Sequence, residues 1–374
     1  MKEEKTLEVD DKSPIHFLGC LITPSEITDA PRPRTTEEVW RPVFKEDWHQ
    51  GKPVYLTSIC RGACSRGPHL VIKGPDNKEE HLPWSSVGRI IVVGRSHFSG
   101  GVVYRAVKEK IPVTFIDIMG RTHGHLNPEN NDELPDITSL QKQYADNEPF
   151  CLSLACEVVS AKIHNSFVLL KRNAITSHEL KELRNKVKKA ANLNSLLGFE
   201  GIAARTYFSE LAKLTDPFEF KERVFHPPDG PVNAMLSFGY TLLYNRIASV
   251  LKDKGFNPRI GFYHKRRGTH AALASDLMEE LRHIAERIIL TLIHRHEIKP
   301  EDFITTQRKE LTICRLKGEG FRAFIRQYEI TMSTEFTYRS DGKKLSYNSY
   351  LDEMSDNLKR AMKLNIPYKA LRID

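Results

Sequence analysis

The spacing of apolar residues changes once along the chain, from strand-like to helical, and this change constrains the fold more than any other feature. From about Pro53 to Leu126 the apolar residues form short runs separated by Gly, Pro, Asn and Asp, as in strands joined by turns: PVYLTS, HLVIKG, RIIVVG and IPVTFID. Between the last two runs, HFSGGVVYRAVKEK has helical spacing. We predict a small β-rich domain over residues 53–126 that carries one helix.

A polar segment separates this region from the rest of the chain. GHLNPENNDELPD, at positions 124–136, has no apolar periodicity and is typical of a hinge. We predict a linker over residues 127–142 and a mainly α-helical domain over residues 143–374. Helical periodicity predicts individual helices at 137–173, 176–193, 195–214, 231–254, 271–297, 318–335 and 346–364. The predicted fold class is α+β, with a small N-terminal β-rich domain followed by a mainly α-helical C-terminal domain.

Residues 1–52 fit neither domain. ITDAPRPRTTEEVW is punctuated by proline, and Trp40, Phe44 and Trp48 after it indicate a short packed arm. This segment is either an N-terminal extension or the junction of a longer fusion, and the sequence leaves both open.

The composition restricts the environment of the protein. The longest apolar runs, MLSFGYTLLY and IAERIILTLI, are broken well before the ~20 residues that a membrane-spanning helix needs. The N-terminus, MKEEKTLEVDDKSP, lacks the apolar segment of a secretory signal. The six cysteines are few and scattered, as expected for reduced thiols. We therefore expect a cytoplasmic protein with no membrane association.

The charge balance indicates a polyanionic partner. Lys and Arg total 56 against 48 Asp and Glu, a formal net charge of +8. Basic side chains that neutralise phosphates release counterions on binding, so this excess suits a nucleic acid.

Glu200 occupies an unusual position in the stretch LGFEGIAARTYF. At helical spacing it faces small and apolar residues such as Ala203, Ala204 and Tyr207. A carboxylate held there loses hydration, which costs several kcal/mol unless a cation or a donor compensates. Either Glu200 reaches solvent or a positive group faces it.

A second candidate site residue is His264, in NPRIGFYHKRRGTH. It ends a short apolar run, and the basic residues Lys265, Arg266 and Arg267 follow it directly. Such cations could grip a phosphate. Alone, such a histidine is more often a capping or core-edge residue than a ligand.

A third candidate is the acidic face of ASDLMEELRHIAERI. Asp276, Glu279, Glu280 and His283 are spaced to share one broad face of a helix. Alone, this face is expected to be a solvated acidic stripe opposite Leu277 and its apolar neighbours.

If these three places meet in the fold, they form an oxygen-rich site that suits a hard divalent cation. Two or three carboxylates with one imidazole favour Mg²⁺ or Mn²⁺, and the imidazole shifts the preference toward Mn²⁺. The common iron site would need a second histidine, His270 or His283. The basic residues after His264 favour a phosphodiester substrate. A metal ion there could activate water or a 3′-hydroxyl as the attacking group.

Several blocks of the sequence, taken together, resemble the CRISPR-associated protein 1 family, the spacer-acquisition integrases. The blocks are LLGFEGIAARTYF, PPDGPVNAMLSFGYTLLYNRI, GFNPRIGFYHKRRGTHAALASDLMEELR and DGKKLSYNSYLDEM, in the family's order. The match runs from about Pro53 to Tyr368. The combination is specific, whereas each block alone is not.

The resemblance implies which residues act in the helical, catalytic domain. It assigns a divalent metal ion to Glu200, His264 and Glu279, with Asp276 at a second acidic position that binds or supports the ion. Many relatives have Asp where this chain has Glu279. Tyr244 matches a tyrosine near the family's active site that could position or protonate the leaving 3′-oxygen; its alternative role is a core aromatic.

The resemblance and the charges together predict residues that contact DNA. They are Arg205, one turn beyond Glu200, the basic run Lys265, Arg266 and Arg267, and Asn233, which matches a recurring asparagine. Basic side chains would hold the duplex backbone without reading its sequence. Asn233 could instead support the site or bond at a helix start.

The implied function is a metal-dependent DNA integrase. It would join the 3′-OH ends of prespacer DNA to the CRISPR repeat by transesterification, as a homodimer assembled with CRISPR-associated protein 2, two dimers per integration complex. Since relatives occur fused to reverse transcriptases, a natural fusion is a further hypothesis. One rival is a stand-alone metal-dependent endonuclease on branched or single-stranded DNA. Another is a DNA-binding scaffold without activity.

Overall fold

The computed structural model describes residues 16–17, 20–21, 51–57, 60–74, 77–117, 122–126, 128, 137–224, 227–265, 268, 270–308, 311–338 and 342–374. The chain forms two compact units, Met1–Asn131 and Asp132–Asp374. The division falls inside the predicted linker. Most of the predicted arm, including its three aromatic residues, lies outside the described residues.

The described part of the first unit is mainly β-structure, as predicted. Its strands are β1 (His16–Phe17), β2 (Cys20–Leu21), β3 (Lys52–Thr57), β4 (Gly62–Arg66), β5 (His69–Lys73), β6 (Glu79–Pro83), β7 (Val87–Val93), β8 (Val113–Ile116) and β9 (Thr122–Leu126). One sheet has the order β2-β1-β3-β7-β8-β9, with parallel pairing from β1 to β8 and antiparallel strands at both edges. β4, β5 and β6 form a second, antiparallel sheet.

The four apolar runs of the sequence correspond to β3, β5, β7 and β8. The helical run between the last two is α1 (Gly100–Lys108), which buries Val102 and Ala106 and connects the parallel strands β7 and β8. Parallel strands need such a crossover, and a helix supplies it. Two short strands, β1 and β2, come from the segment that the sequence assigned to neither domain.

The second unit is mainly helical, as predicted. Its helices in the described residues are α2 (Ile137–Ala145), α3 (Glu148–Arg172), α4 (His178–Val187), α5 (Leu193–Ala212), α6 (Pro231–Asp253), α7 (Ala272–Met278), α8 (Arg282–His294), α9 (Gly318–Met332) and α10 (Tyr347–Leu364). The core is formed mainly by α3, α6 and α8, each of which buries most of its residues. In the part of the chain that is described, no helix is long and apolar enough to cross a membrane.

Two predicted helices are divided. The helix expected over 137–173 breaks between α2 and α3, because the Asn147 side chain caps α3 by accepting from the Phe150 N–H at 3.0 Å and Pro149 lies in its first turn. The helix expected over 271–297 is α7, a 3₁₀ turn at Glu279–Leu281 and then α8. α2 begins at Ile137, where the first helix of this region was predicted, and so includes residues 137–142 of the predicted linker.

Short antiparallel strands in the second unit were not predicted. β10 (Phe303–Arg308) pairs with β11 (Leu311–Leu316), and β12 (Glu335–Thr337) pairs with β13 (Lys344–Ser346). They overlap the predicted helices only at Glu335 and Ser346, so the prediction of a mainly helical unit holds.

Candidate functional site

Two carboxylates from distant elements meet at one lysine. Glu200 on α5 and Glu279 in the 3₁₀ turn both face Lys162 on α3, whose Nζ lies 2.5 Å from Glu200 Oε1 and 2.8 Å from Glu279 Oε2. The exposed fraction is 18% for the lysine side chain, 14% for that of Glu200 and 1% for that of Glu279. The counter-charge that Glu200 needs is therefore an ammonium supplied by this chain.

The second oxygen of Glu200 also has a partner. The Tyr263 hydroxyl donates a hydrogen bond to Glu200 Oε2. Burial and the neighbouring carboxylates raise the pKa of Tyr263, so its hydroxyl stays protonated and keeps donating.

His264 is held by the buried carboxylate of Asp276. Asp276 Oδ1 accepts from the backbone N–H of His264 at 2.7 Å and lies 2.8 Å from its Nδ1. Asp276 Oδ2 accepts from the backbone N–H groups of Phe262, at 2.6 Å, and Tyr263, at 3.1 Å. The other ring nitrogen, Nε2, lies 4.0 Å from Glu279 Oε1. The turn at residues 262–264 therefore folds around the Asp276 carboxylate, and the Nε2 edge of the imidazole points toward Glu279.

Gly261 makes this turn possible. A Cβ at this position would lie 2.7 Å from the carbonyl oxygen of His264 and 2.9 Å from Asp276 Oδ2. Such contacts are too close for any side chain, so the turn requires glycine here.

Arg282 fixes Glu279 from the other side. Its Nε and Nη2 donate to Glu279 Oε2 and Oε1, both at 2.8 Å, in a bidentate pair. Burial opposes the charge of Glu279, but Arg282 and Lys162 outweigh it and hold the pKa of this carboxyl well below its usual range. Glu279 is therefore ionised in a buried position.

Burial and neighbouring charges also act in opposite directions on the pKa values of Lys162 and His264. Burial lowers the pKa of Lys162, but Glu200 and Glu279 outweigh it and raise the pKa above 10.5. Burial also lowers the pKa of His264, but the bond to Asp276 and the charges of Glu279, Asp276 and Glu200 raise it above 6.5. The site thus holds alternating charges that neutralise one another.

Tyr244 belongs to a neighbouring group at the start of α7. Its hydroxyl accepts from the Ala271 N–H at 2.6 Å and lies 3.3 Å from His270 Nδ1. The two rings stack with an interplanar angle of 14°, and His270 Nε2 lies 3.0 Å from Ser275 Oγ. The hydroxyl is thus fixed next to the helix that carries Asp276.

The residues expected to contact DNA differ in their placement. Arg205 and Lys265 are exposed, whereas Arg266 and Arg267 lie outside the described residues. Asn233 is 4% exposed. Its amide donates to Glu222 O and Asp229 Oδ1 and accepts from the Val224 N–H and from Arg223. Asn233 therefore holds the loop before α6, in agreement with the helix-start alternative rather than a DNA contact.

The acidic face of ASDLMEELRHIAERI is buried, which corrects the solvated stripe expected from the sequence alone. Exposure is 0% for Asp276, 1% for Glu279, 0% for Glu280 and 1% for His283. Glu280 accepts from the hydroxyls of Tyr350, at 3.1 Å, and Tyr368, at 2.6 Å, so it anchors the C-terminal segment. Burial raises the pKa of Glu280 to about 7, although these bonds oppose the shift.

Sequence reasoning missed Lys162, Tyr263 and Arg282. One signal for Lys162 was available: it lies between Ala161 and Ile163 on a stretch of α3, LACEVVSAKI, whose only other charged residue is Glu157. A lone lysine in such a helix needs a partner as much as Glu200 does. Nothing in the sequence pairs the two residues.

The donors fit a divalent cation in type, but the structure does not draw them into a cage. Among the described residues, no group of three or more His, Cys, Asp or Glu side chains is arranged to hold a metal ion. Glu200, Glu279 and the Nε2 of His264 are nevertheless donors that Mg²⁺ and Mn²⁺ accept. The place between the two carboxylates already stabilises a cation, the Lys162 ammonium. Both oxygens of Asp276 hold the turn and His264, so Asp276 supports the imidazole.

A comparison with known families shows the family of this chain. The model of the family described as "CRISPR associated protein Cas1" matches residues 54–330. The chain belongs to the Cas1 family. The match includes Lys162, Glu200, His264 and Glu279, and the resemblance inferred from the sequence blocks is confirmed.

Individual Cas1 relatives cover most of the chain. "CRISPR-associated endonuclease Cas1 3" of Thermus thermophilus is 30% identical over 272 residues, which are 72% of this chain and 80% of the relative. A chain from the "Cas6-RT-Cas1--Cas2 complex" is 28% identical to this chain, with a TM-score of 0.71. The match covers 87% of this chain and only 36% of that longer one. A "Casposase bound to integration product" shares the fold, with a TM-score of 0.74 at 22% identity over 86% of this chain and 96% of that one.

Proposed function

We propose that this Cas1 protein is a metal-dependent DNA integrase that joins the 3′-OH ends of prespacer DNA to the CRISPR repeat by transesterification. The observation that carries the proposal is that Glu200 and Glu279 share the Lys162 ammonium, while His264 Nε2 lies 4.0 Å from the other oxygen of Glu279. Its family membership and the titles of its structural neighbours, which include a Cas1–Cas2 complex and an integration product, support the same reaction.

Each residue has a definite task in this proposal. Glu200, Glu279 and the Nε2 of His264 would hold Mg²⁺ or Mn²⁺. Asp276 accepts from the Nδ1–H of His264, so in the neutral ring the proton lies on Nδ1 and the lone pair on Nε2 would be available to a metal. Arg282 and Tyr263 fix the two glutamates from their other sides. A bound divalent ion would polarise the phosphoryl oxygen and stabilise the leaving oxygen.

The DNA is held by basic side chains near this site. Arg205 and Lys265 are exposed and free to contact phosphates. Burial raises the pKa of Tyr244, so its hydroxyl is protonated at neutral pH and can donate a proton to the leaving 3′-oxygen. In this assignment Tyr244 is the general acid, and Glu200, Glu279 and His264 bind the metal.

The proposed assembly follows the related complexes. A solved complex that contains a relative is titled Cas1 together with Cas2 and a reverse transcriptase. We infer that this protein acts as a homodimer, two dimers per integration complex, with CRISPR-associated protein 2 and double-stranded DNA. A natural fusion to a reverse transcriptase is part of the same proposal.

The alternative function is a stand-alone metal-dependent endonuclease on branched or single-stranded DNA. The names of relatives, which call them endonucleases, favour it. Hydrolysis would use the same residues, with water in place of the 3′-hydroxyl as the attacking group. The attacking group therefore distinguishes the two functions.

A joining assay separates them. A 5′-labelled prespacer with a free 3′-OH, and a matched one ending in a 3′-deoxy sugar, are incubated with repeat DNA, Mn²⁺ and the protein, with and without the partner protein. We expect a longer labelled product from the 3′-OH substrate only. Shortened products alone from both substrates would favour the endonuclease.

A substitution tests the scaffold alternative. His264→Ala is expected to abolish joining while duplex binding remains, because the imidazole serves the metal and not the DNA. His294→Ala, which changes an exposed histidine at the end of α8, is the matched control and should join normally. Unchanged joining by His264→Ala would overturn the proposed site.

A further inference from the structure

We propose that Lys162 is an internal counter-ion that a divalent metal must displace, so that this lysine sets the metal affinity of the site. The proposal rests on the proposed function, because it concerns the same carboxylates. It adds a residue that neither the sequence motifs nor the family assignment points to.

The position of the ammonium carries the proposal. Lys162 Nζ lies 2.5 Å from Glu200 Oε1 and 2.8 Å from Glu279 Oε2, and within the described part of the chain its polar contacts are with these two proposed metal ligands. Mg²⁺ binds oxygen at about 2.0–2.1 Å. A divalent ion that bridges the same two oxygens would occupy the ammonium's place, and like charges at such short range exclude each other. Lysine and metal therefore compete.

The carboxylates do not depend on Lys162 for their positions. Arg282 grips Glu279 through two bonds of 2.8 Å, and the Tyr263 hydroxyl donates to the other oxygen of Glu200. Each carboxylate oxygen has two lone pairs, so these partners leave room for one more. When the lysine withdraws, both glutamates remain fixed and aimed at the same place.

Lys162 is also able to withdraw. Its side chain is 18% exposed, so a path to solvent exists, and a four-carbon stem rotates easily. Arg282 cannot exchange in the same way, because its planar guanidinium is fixed by the bidentate pair with Glu279. Of the two basic side chains that pair with Glu279, Lys162 can therefore be displaced, whereas Arg282 stays in place.

Manganese binding by the purified full-length protein tests the proposal. Lys162→Met keeps the apolar stem and removes the charge. We expect this variant to bind Mn²⁺ at least tenfold more tightly than the wild type in calorimetric titrations. Its melting temperature should be lower without Mn²⁺ and should rise more steeply when Mn²⁺ is added.

Lys254→Met is the matched control. Lys254 is also a partly buried lysine between two carboxylates, 3.1 Å from Asp356 and 3.5 Å from Asp352, but it directly follows α6 and its ion-pair partners are not proposed ligands. Its Mn²⁺ affinity should equal that of the wild type. Equal or weaker Mn²⁺ binding by Lys162→Met than by the wild type would overturn the role of Lys162 and leave the integrase proposal intact.

A second measurement needs no variant and does not depend on the folding of one. Amine-reactive labelling of the wild-type protein, read by mass spectrometry, should modify Lys162 several-fold faster with Mn²⁺ than without it, while Lys254 stays constant. An unchanged rate at Lys162 under saturating Mn²⁺ contradicts displacement. If neither the wild type nor Lys162→Met binds Mn²⁺ at all, the metal site of the proposed function fails as well.

Discussion

One carboxylate oxygen of Asp276 contacts His264 twice, at the backbone N–H (2.7 Å) and at Nδ1 (2.8 Å). The same buried acid therefore sets both the path of the chain at the histidine and the orientation of its ring. Asp276 therefore affects the site although it does not contact Lys162 as Glu200 and Glu279 do. It positions the imidazole and has no oxygen left unbonded.

Asp276→Asn tests this coupling. An amide nitrogen cannot accept, so at least one of the four donors around this side chain loses its partner. We expect the free energy of unfolding to fall by about 1–3 kcal/mol, and Mn²⁺ affinity to fall by about 10- to 100-fold. Guanidinium denaturation and Mn²⁺ titration measure the two effects. Asp356→Asn, at a half-exposed carboxylate that bonds Lys254, is the control and should change stability by less than about 0.5 kcal/mol.

Arg282 should be more important to stability than its place on a helix suggests. Arg282→Met would remove the bidentate partner of the buried Glu279, and we expect a loss of about 3–5 kcal/mol because a buried charge loses its main partner. Arg282→Lys keeps a positive charge but not the two parallel bonds, so its loss should be smaller. Chemical denaturation compares the two. Equal stability of Arg282→Met and the wild type would show that the pair contributes nothing.

His283 should make the protein sensitive to acid. Burial, Arg287 and Arg172 lower the pKa of His283 from 6.5 to about 3. Between these values the unfolded chain binds more protons than the native one, so the contribution is present above pH 6.5 and is lost as the pH falls. One pH unit corresponds to about 1.4 kcal/mol, so we expect a loss of about 2 kcal/mol at pH 5.

The measurement is denaturation of the wild type and His283→Asn at pH 7 and pH 5. The variant removes the titrating ring, so its stability should fall about 2 kcal/mol less between the two pH values. His294→Asn, an exposed histidine on the same helix, should behave like the wild type. The same pH dependence in His283→Asn and the wild type would place the titration elsewhere.

Tyr244 and His270 should act as a pair in the joining reaction. Tyr244→Phe removes the hydroxyl, and general-acid groups contribute about 10²- to 10⁴-fold, so we expect joining to slow by at least about 10²-fold. His270→Ala leaves the hydroxyl without the ring that stacks on it and contacts it at 3.3 Å, and should slow joining less.

A double-mutant cycle shows whether the histidine acts through the tyrosine. His270→Ala should have no further effect on joining once Tyr244 is Phe, because the hydroxyl that it positions is gone. Tyr104→Phe, at an exposed tyrosine on α1, is the control and should join normally. Fully additive losses would show that His270 serves a different function.

The sequence by itself determined the fold class and the family. The change of apolar period distinguishes strands from helices because side chains repeat every 2 residues in a strand and every 3.6 in a helix. The blocks around Glu200, His264 and Glu279 identified the family. Local capping at Asn147, which divides one predicted helix, was also readable in principle but was outweighed by the longer periodicity.

Only the tertiary structure decided which charges meet. The period of a helix shows which residues share a face but not what packs against that face. The acidic face of α7 and the following 3₁₀ turn was therefore expected to be solvated, whereas the structure buries it. Lys162, Glu200 and Glu279 lie on three elements, and no spacing rule links them. A buried charge needs a partner wherever the chain can bring one, and packing alone selects that partner.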